Sequence, residues 1–295
     1  MDRHISVLLK ESTEGLALKE GATVFEGTVG LGGHSRILCE MIGKTGTFIG
    51  TDADQESLAI AEERLSDVPC KKIFVCDNFR NIDVVLANAG VEKVDAILLD
   101  IGLSNRQLEV APRGFSFMRD EPLLMTFRSS GDGLTAKEIV NEWAEESIAD
   151  IIYGYGEERY ARRIAKGIVE ARKEKAIETS GQLAEVVKSI VPKFGFSKIH
   201  PATKTFQALR IAVNDELGAL REALSKGFTA LKPEGRMAVI SFHSLEDRIV
   251  KEFFRQQAQA GLATLTTKKP IIPSDTEINE NPKSRSSKLR IIVKI

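Results

Sequence analysis

Short apolar runs alternate with stretches of helical periodicity over the first hundred residues. Residues 22–26, 46–51, 72–76 and 94–100 are apolar enough, and short enough, to be strands. The fourth is apolar nearly throughout after Asp95, as a strand covered on both faces must be. Between them, residues 33–43, 55–65 and 80–89 carry the spacing and the strong formers of helices. Strands separated by helices of this length predict a parallel sheet with right-handed crossovers. The rhythm stops after residue 104. Residues 104–133 hold Pro112, Pro122 and several glycines and read as irregular. Residues 135–145, 148–153, 157–175 and 180–190 then read as helices with no strand among them. A helix over 203–228, a strand over 236–241, a helix over 245–257 and a strand over 289–294 resume the alternation, and 272–287 reads as a long polar loop. The pattern predicts an α/β domain built from 1–104 and 203–295, with an all-helical domain, 105–202, inserted after strand four.

Composition changes this picture little. With 295 residues and 42% hydrophobic positions, the chain can form a real core. Its 41 basic and 42 acidic residues nearly cancel, so whole-chain charge gives nucleic-acid binding no support, although a local basic face stays open. Cys39, Cys70 and Cys76 form no metal-ligand spacing with the four histidines, so no metal is expected. An odd, sparse set of cysteines fits a reducing compartment, and no apolar run approaches the roughly 20 residues of a membrane span. The expectation is a cytoplasmic protein with no membrane partner.

The chemistry begins where strand one runs into Glu26-Gly-Thr-Val-Gly-Leu-Gly-Gly-His-Ser35. Glycines at 27, 30, 32 and 33 let the backbone turn sharply and approach a ligand. The free N–H groups of the following helix would face that ligand. Asp52 ends strand two, 20 residues beyond Gly32, where an acid hydrogen-bonds ribose hydroxyls in Rossmann-like sheets. A plain tight turn with a solvated Asp is the bland alternative, and the strand–turn–helix context weighs against it. A nicotinamide cofactor fits poorly, because G-x-G-x-x-G started at Gly30 places Ser35 in the third slot, and no P-loop motif is present. A carboxylate-bearing cofactor such as S-adenosylmethionine needs only one helix end.

Several longer motifs carry a resemblance. They are His4-Ile-Ser-Val-Leu-Leu, Gly30-Leu-Gly-Gly-His-Ser35, Gly50-Thr-Asp-Ala-Asp54, Asp77-Asn-Phe79, Leu98-Leu-Asp-Ile-Gly-Leu-Ser104 and Gln107-Leu108. Arg113-Gly-Phe-Ser-Phe-Met-Arg119, Ala202-Thr-Lys-Thr-Phe-Gln-Ala-Leu-Arg210, Ile240-Ser-Phe-His-Ser-Leu-Glu-Asp-Arg248 and Asn281-Pro-Lys-Ser-Arg-Ser286 continue the set. Together they span nearly the whole chain, which resembles the MraW-type methyltransferases of bacteria. The resemblance implies a Rossmann-like class I methyltransferase sheet, S-adenosyl-L-methionine as cofactor, and methylation of the exocyclic N4 of a cytidine in 16S ribosomal RNA of the small subunit, in its decoding region. It implies that Gly32, Gly33 and His34 hold the methionine end, Asp52 the ribose and Phe79 the adenine, with Asp100 and Gln107 completing the site. A homodimer is one possible assembly. The chain departs from the family at one place: Pro-Leu-Asp-Met-Arg-Met-Asp is replaced by Pro122-Leu-Leu-Met-Thr-Phe-Arg128, in a segment expected at the cofactor or substrate mouth, with Asp120 or Asp132 as nearby substitutes.

Cytosine N4 is a weak nucleophile because its lone pair delocalises into the ring, so hydrogen-bond acceptors beside the amine are expected. Asp100, after strand four, is the candidate catalytic acceptor; its plainer role is cofactor binding alone. Methylation at C5 would need a cysteine nucleophile, and the ends of strands four and five, Asp100-Ile-Gly-Leu-Ser and Ser241-Phe-His-Ser, have none. His243 is the second candidate for a substrate role, against a structural one. RNA contacts are expected from Arg159, Arg162, Arg163 and Lys166 on one helix and from Lys283, Arg285, Lys288 and Arg290 near the C-terminus, with Arg162, Arg163 and Arg285 foremost. The competing reading makes them solvated faces with partners such as Glu158–Arg162. Rival functions are methylation of another RNA, a small molecule or a protein on the same fold, and RNA binding with reduced catalysis.

Overall fold

The computed structural model describes residues 6–103, 112–128, 133–191 and 200–295. The chain divides into two compact units, one of residues 1–104 with 217–295 and one of residues 105–216.

The first unit opens with α1 (Leu9–Gly15). It then alternates β1 (Thr23–Glu26), α2 (Gly33–Ile42), β2 (Thr47–Asp52), α3 (Gln55–Arg64), β3 (Lys71–Cys76), a 3-10 turn at Phe79–Asn81 leading into α4 (Ile82–Asn88), and β4 (Val94–Asp100). From β1 onward these elements follow the apolar periodicity closely; α1 is not expected from it. Asp54 sets the start of α3: its carboxylate accepts the Glu56 N–H and the Ser57 hydroxyl in a fully buried position.

The second unit contains α5 (Ala136–Glu142), α6 (Glu145–Gly156), α7 (Ala161–Glu174), α8 (Ser180–Ile190) and α9 (Thr203–Asn214). Capping boxes at Thr135/Glu138 and Thr179/Gln182 start α5 and α8. The chain then returns to the first unit through α10 (Glu216–Ala230), β5 (Leu231–Ser241), α11 (Ser244–Gln259), β6 (Ala263–Leu265), α12 (Asp275–Glu280) and β7 (Lys288–Lys294).

Here the structure corrects the sequence pattern. The single helix expected over 203–228 is two helices, because Asp215 takes a left-handed conformation (φ 46°) and breaks the run. The segment before that break belongs to the second unit, where α9 packs on α6, so the boundary lies at 216 and not at 202. β5 begins five residues earlier than expected: the pairing with β4 jumps from Val94–Leu231 to Ala96–Arg236 across a bulge at Glu234 (φ 64°). The polar loop over 272–287 contains α12 and a 3-10 turn, Pro282–Ser286.

The seven strands lie in the order β3-β2-β1-β4-β5-β7-β6, parallel through β5 and antiparallel for β7 and β6. One face of the sheet packs residues such as Val24, Phe48, Leu98 and Ile240 against Leu38 and Ile42 of α2 and Leu58 and Ala61 of α3. The other packs Phe25, Ile49, Ile97 and Val239 against α4, α10 and α11. Strand order reverses between β1 and β4, the place where open α/β sheets bind ligands beyond their carboxyl ends. Replacing Asp54 by Ala is expected to lower unfolding free energy by about 1–2 kcal/mol, measured as a shift in urea midpoint with an unchanged slope.

Candidate cofactor and substrate site

The reversal point gathers four acids at the carboxyl ends of neighbouring strands. Glu26 ends β1, Asp52 ends β2, Asp77 follows β3, and Asp100 ends β4. The backbone between β1 and α2 is shaped to reach them. Gly27 has no room for a side chain, since a Cβ there would sit 2.4 Å from Leu99 and 2.7 Å from Phe79. Gly30 (φ 54°) donates its N–H to Asp52 Oδ2 at 2.8 Å, and Gly32 (φ 83°) is the left-handed residue that starts α2.

The acids differ in their surroundings. Asp52 also accepts the Asp54 N–H at 2.9 Å, and burial still pushes its carboxyl up to about 6. Asp77 accepts the Asn78 N–H and the Asn81 amide, which fixes the turn that presents Phe79, half-buried against the core. Glu26 is fully buried; its Oε2 accepts the Ser35 hydroxyl at 2.6 Å, and its Oε1 has no partner among the described residues. Desolvation holds it well above the ordinary carboxylate range, against the Ser35 bond and with Asp100 and Asp52 adding to the shift. Asp100 donates its own N–H to Thr28 Oγ1 at 2.7 Å, while its Oδ1 is buried and unpartnered among the described residues. Burial pushes the Asp100 carboxyl up to about 7, opposed by the Gly102 N–H and assisted by the charge of Glu246.

The other expected residues fall as follows. Gly33 opens α2. His34 follows it, but the residue is 4% exposed and its ring is turned inward. Nε2 donates to the Val7 carbonyl at 3.1 Å and Nδ1 lies 3.7 Å from Asp100 Oδ2. His243 starts α11: Nδ1 accepts the Glu246 N–H at 3.4 Å, and Glu246 returns hydrogen-bond acceptance to the Phe242 and His243 N–H groups. Nε2 stands 2.9 Å from Glu246 Oε1 without hydrogen-bond alignment. The ring is therefore engaged in a helix cap beside β5. Phe242 fills the space over Gly102, where a Cβ would lie 2.5 Å from its ring. Gln107 and Asp132 lie outside the described residues.

Sequence reasoning singled out neither Glu26 nor Ser35 as a site residue. The available signal was an acid closing an apolar strand directly before a glycine turn, with a hydroxyl in the first turn of the next helix.

The basic clusters separate. On α7, Arg162 and Lys166 are exposed. The expected Glu158–Arg162 pair does not form, because Glu158 is buried and accepts the Tyr160 N–H. Arg163 donates weakly to the Ile190 carbonyl and, with Arg159, lies over the Tyr160 ring. Arg290 and Lys288 share the single carboxylate of Asp247 at 2.7 Å and 3.4 Å, whereas Arg285 is exposed. The departing segment, 122–128, lies within the second unit. Leu123 and Met125 are fully buried there, Asn214 clasps Met125 and Phe127, and Phe127 stacks on Phe115. Asp120 is occupied by the Gly181 N–H.

A family model described as the MraW methylase family matches residues 1–295. The chain is 45% identical to a protein of Geotalea uraniireducens named ribosomal RNA small subunit methyltransferase H, covering 99% of this chain and 98% of that one. It is 44% identical to a protein of the same name from Symbiobacterium thermophilum, covering 99% and 96%, and 41% identical to one from Clostridioides difficile, covering 99% of each.

An acid held above its ordinary range binds its proton more tightly in the fold than in the unfolded chain. Its ionisation therefore removes stability as pH rises from the ordinary carboxylate range through about 7 for Asp100. Asp100→Asn is expected to melt several degrees above the parent protein at pH 8, at about 2–4 °C per kcal/mol relieved, with the difference shrinking at pH 5. Equal differences at both pH values would contradict this origin.

Proposed function

The chain belongs to the MraW methylase family, and from that premise we propose that it methylates the exocyclic N4 of a cytidine in 16S ribosomal RNA with S-adenosylmethionine as donor. The observation that carries the reading is the pair of buried, unpartnered carboxyl oxygens, Glu26 Oε1 and Asp100 Oδ1, at the point where the strand order reverses. Acceptors left without donors there suit a ligand that brings N–H groups and positive charge.

The residues fit the cofactor. The N–H groups of Gly33 and His34, at the start of α2, suit its carboxylate. Asp52 keeps lone pairs for ribose hydroxyls beyond its two backbone bonds. Phe79 offers a flat apolar face to adenine, and Gln107 completes the set by family resemblance. When bound, S-adenosylmethionine supplies an electrophilic methyl group on a sulfonium. The protein's own contribution is position and proton handling. Asp100 Oδ1 accepts an N–H of the target amine, draws that nitrogen toward a tetrahedral form and takes its proton as the N–C bond forms.

The cysteines argue against attack at ring carbon. Cys39 and Cys70 are buried in the core. Cys76 ends β3, but burial and the charges of Asp52, Asp54 and Asp77 raise its thiol, the wrong direction for a thiolate nucleophile. On the RNA side, Arg162, Arg163 and Lys166 of α7 and Arg285 near the C-terminus bind phosphates, and the target base is unstacked to reach the donor.

Incubation with small ribosomal subunits lacking the modification, followed by nucleoside mass spectrometry, is expected to yield N4-methylcytidine. C5-methylcytidine or no product would reject the reading. Arg162→Glu with Lys166→Glu is expected to weaken RNA binding and to flatten its salt dependence by about one unit per lost phosphate contact, with cofactor affinity unchanged by calorimetry.

A further inference from the structure

His34 stands where three unconnected parts of the first unit meet. Its backbone opens α2, its Nε2 donates to Val7, and its Nδ1 faces Asp100. The donated Nε2 proton leaves Nδ1 as the ring nitrogen that carries the lone pair in the neutral form. That nitrogen faces Oδ2 of Asp100, and it is the other oxygen, Oδ1, that is buried without a partner. The imidazole thus sits beside one oxygen of the carboxyl while the second is left for a ligand.

The Val7 side is equally constrained. Ser6, Val7 and Leu8 are buried. Leu8 holds a left-handed conformation (φ 50°, ψ 36°), which costs a residue with a Cβ free energy and persists only where its surroundings dictate it. Two bonds do so: Leu8 N–H donates to Glu277 Oε1 of α12 at 2.7 Å, and the Val7 carbonyl takes the His34 proton. Removing the imidazole therefore releases the strained segment and the Asp100 carboxyl together.

We propose that His34 is a positioning residue, which meets the cofactor through its backbone while its imidazole, bonded to Val7 and placed 3.7 Å from Asp100 Oδ2, holds the segment 6–8 against the Asp100 carboxyl and sets the direction of Oδ1. The proposal rests on the reading of Asp100 as acceptor for the target amine. The carboxyl is faced by His34 from α2, by Glu26 from β1 and by Glu246 from α11. With Nε2 donating to Val7, Nδ1 is an acceptor in the neutral ring, so it meets the protonated Asp100 carboxyl as an acceptor and the ionised one only as an imidazolium.

Two substitutions divide the ring's functions. His34→Asn keeps a polar group at the position of Nδ1, and His34→Gln keeps a donor near that of Nε2. Protein labelled with 15N-histidine is expected to show His34 in the Nε2-protonated tautomer, with its Nδ1 signal moved by Asp100→Asn. His34→Gln is expected to lower kcat about tenfold to a hundredfold, as misplacement of a reacting group does, with the Kd for S-adenosylhomocysteine within about threefold of the parent value. His34→Asn is expected to retain most of kcat and to lose thermal stability. A raised Kd in both variants at unchanged kcat would make the imidazole a cofactor contact and overturn the proposal. Loss of kcat in both only in step with melting temperature would overturn it as well. If Asp100→Asn keeps full kcat on small subunits, the acceptor reading fails. An Nδ1 signal indifferent to that substitution would separately overturn the tie.

Discussion

Carboxyl groups placed at the ends of adjacent parallel strands crowd one another, and taking them out of water raises the cost of each charge. Glu26, Asp52 and Asp100 are in this position, and much of the surrounding structure answers to it. The glycine turn brings the Gly30 N–H to Asp52, Ser35 gives its hydroxyl to Glu26, and the N-terminus of α2 points its positive end toward the same place. These donors satisfy part of the demand and leave two oxygens open. Acids gathered in this way suit a ligand that carries an ammonium and a sulfonium group better than an anionic dinucleotide.

The sheet was legible because its central strands are buried on both faces and therefore apolar throughout, and because the helices between them have ordinary lengths. The strand end pointed to Asp52 with no knowledge of side-chain contacts, and the family resemblance pointed to Phe79 and Asp100, which follow β3 and end β4. The misses have physical causes. Asp215 breaks a helix in a left-handed conformation with neither Gly nor Pro to announce it, so 203–228 read as continuous. The bulge at Glu234 hid the start of β5 in a segment holding Pro233 and Gly235. α12 is six residues long and has no apolar face to betray it. The orientation of the His34 ring depends on Val7, and a contact of that kind leaves no trace in local sequence.

Residues 122–128 show how a departure from a family pattern can be absorbed. Where acids and an arginine are usual, this chain places side chains that pack: Leu123 and Met125 are buried, Phe127 stacks on Phe115, and Asn214 bonds to the backbone on both sides of Thr126. The segment forms part of the interior of the second unit. On α7 in the same unit Lys173 is paired with Glu170, whereas Arg162 is exposed and Glu158, one turn before it, is turned inward. The unit has an apolar interior and a cationic face of its own.

The pairing of β4 with β5 has a consequence for how the chain is made. β1 to β4 can associate as soon as they leave the ribosome, but the free edge of β4 must wait for β5 until everything from Ile101 to Ala230 has been synthesised. Domains generally fold as units during synthesis, and a waiting apolar edge is a template for pairing with the wrong strand. Early folding of the helical unit shortens the effective gap, because a collapsed segment brings its two ends nearer than a flexible one of the same length. The pairing of β4 with β5 thus closes only after the helical unit has been made.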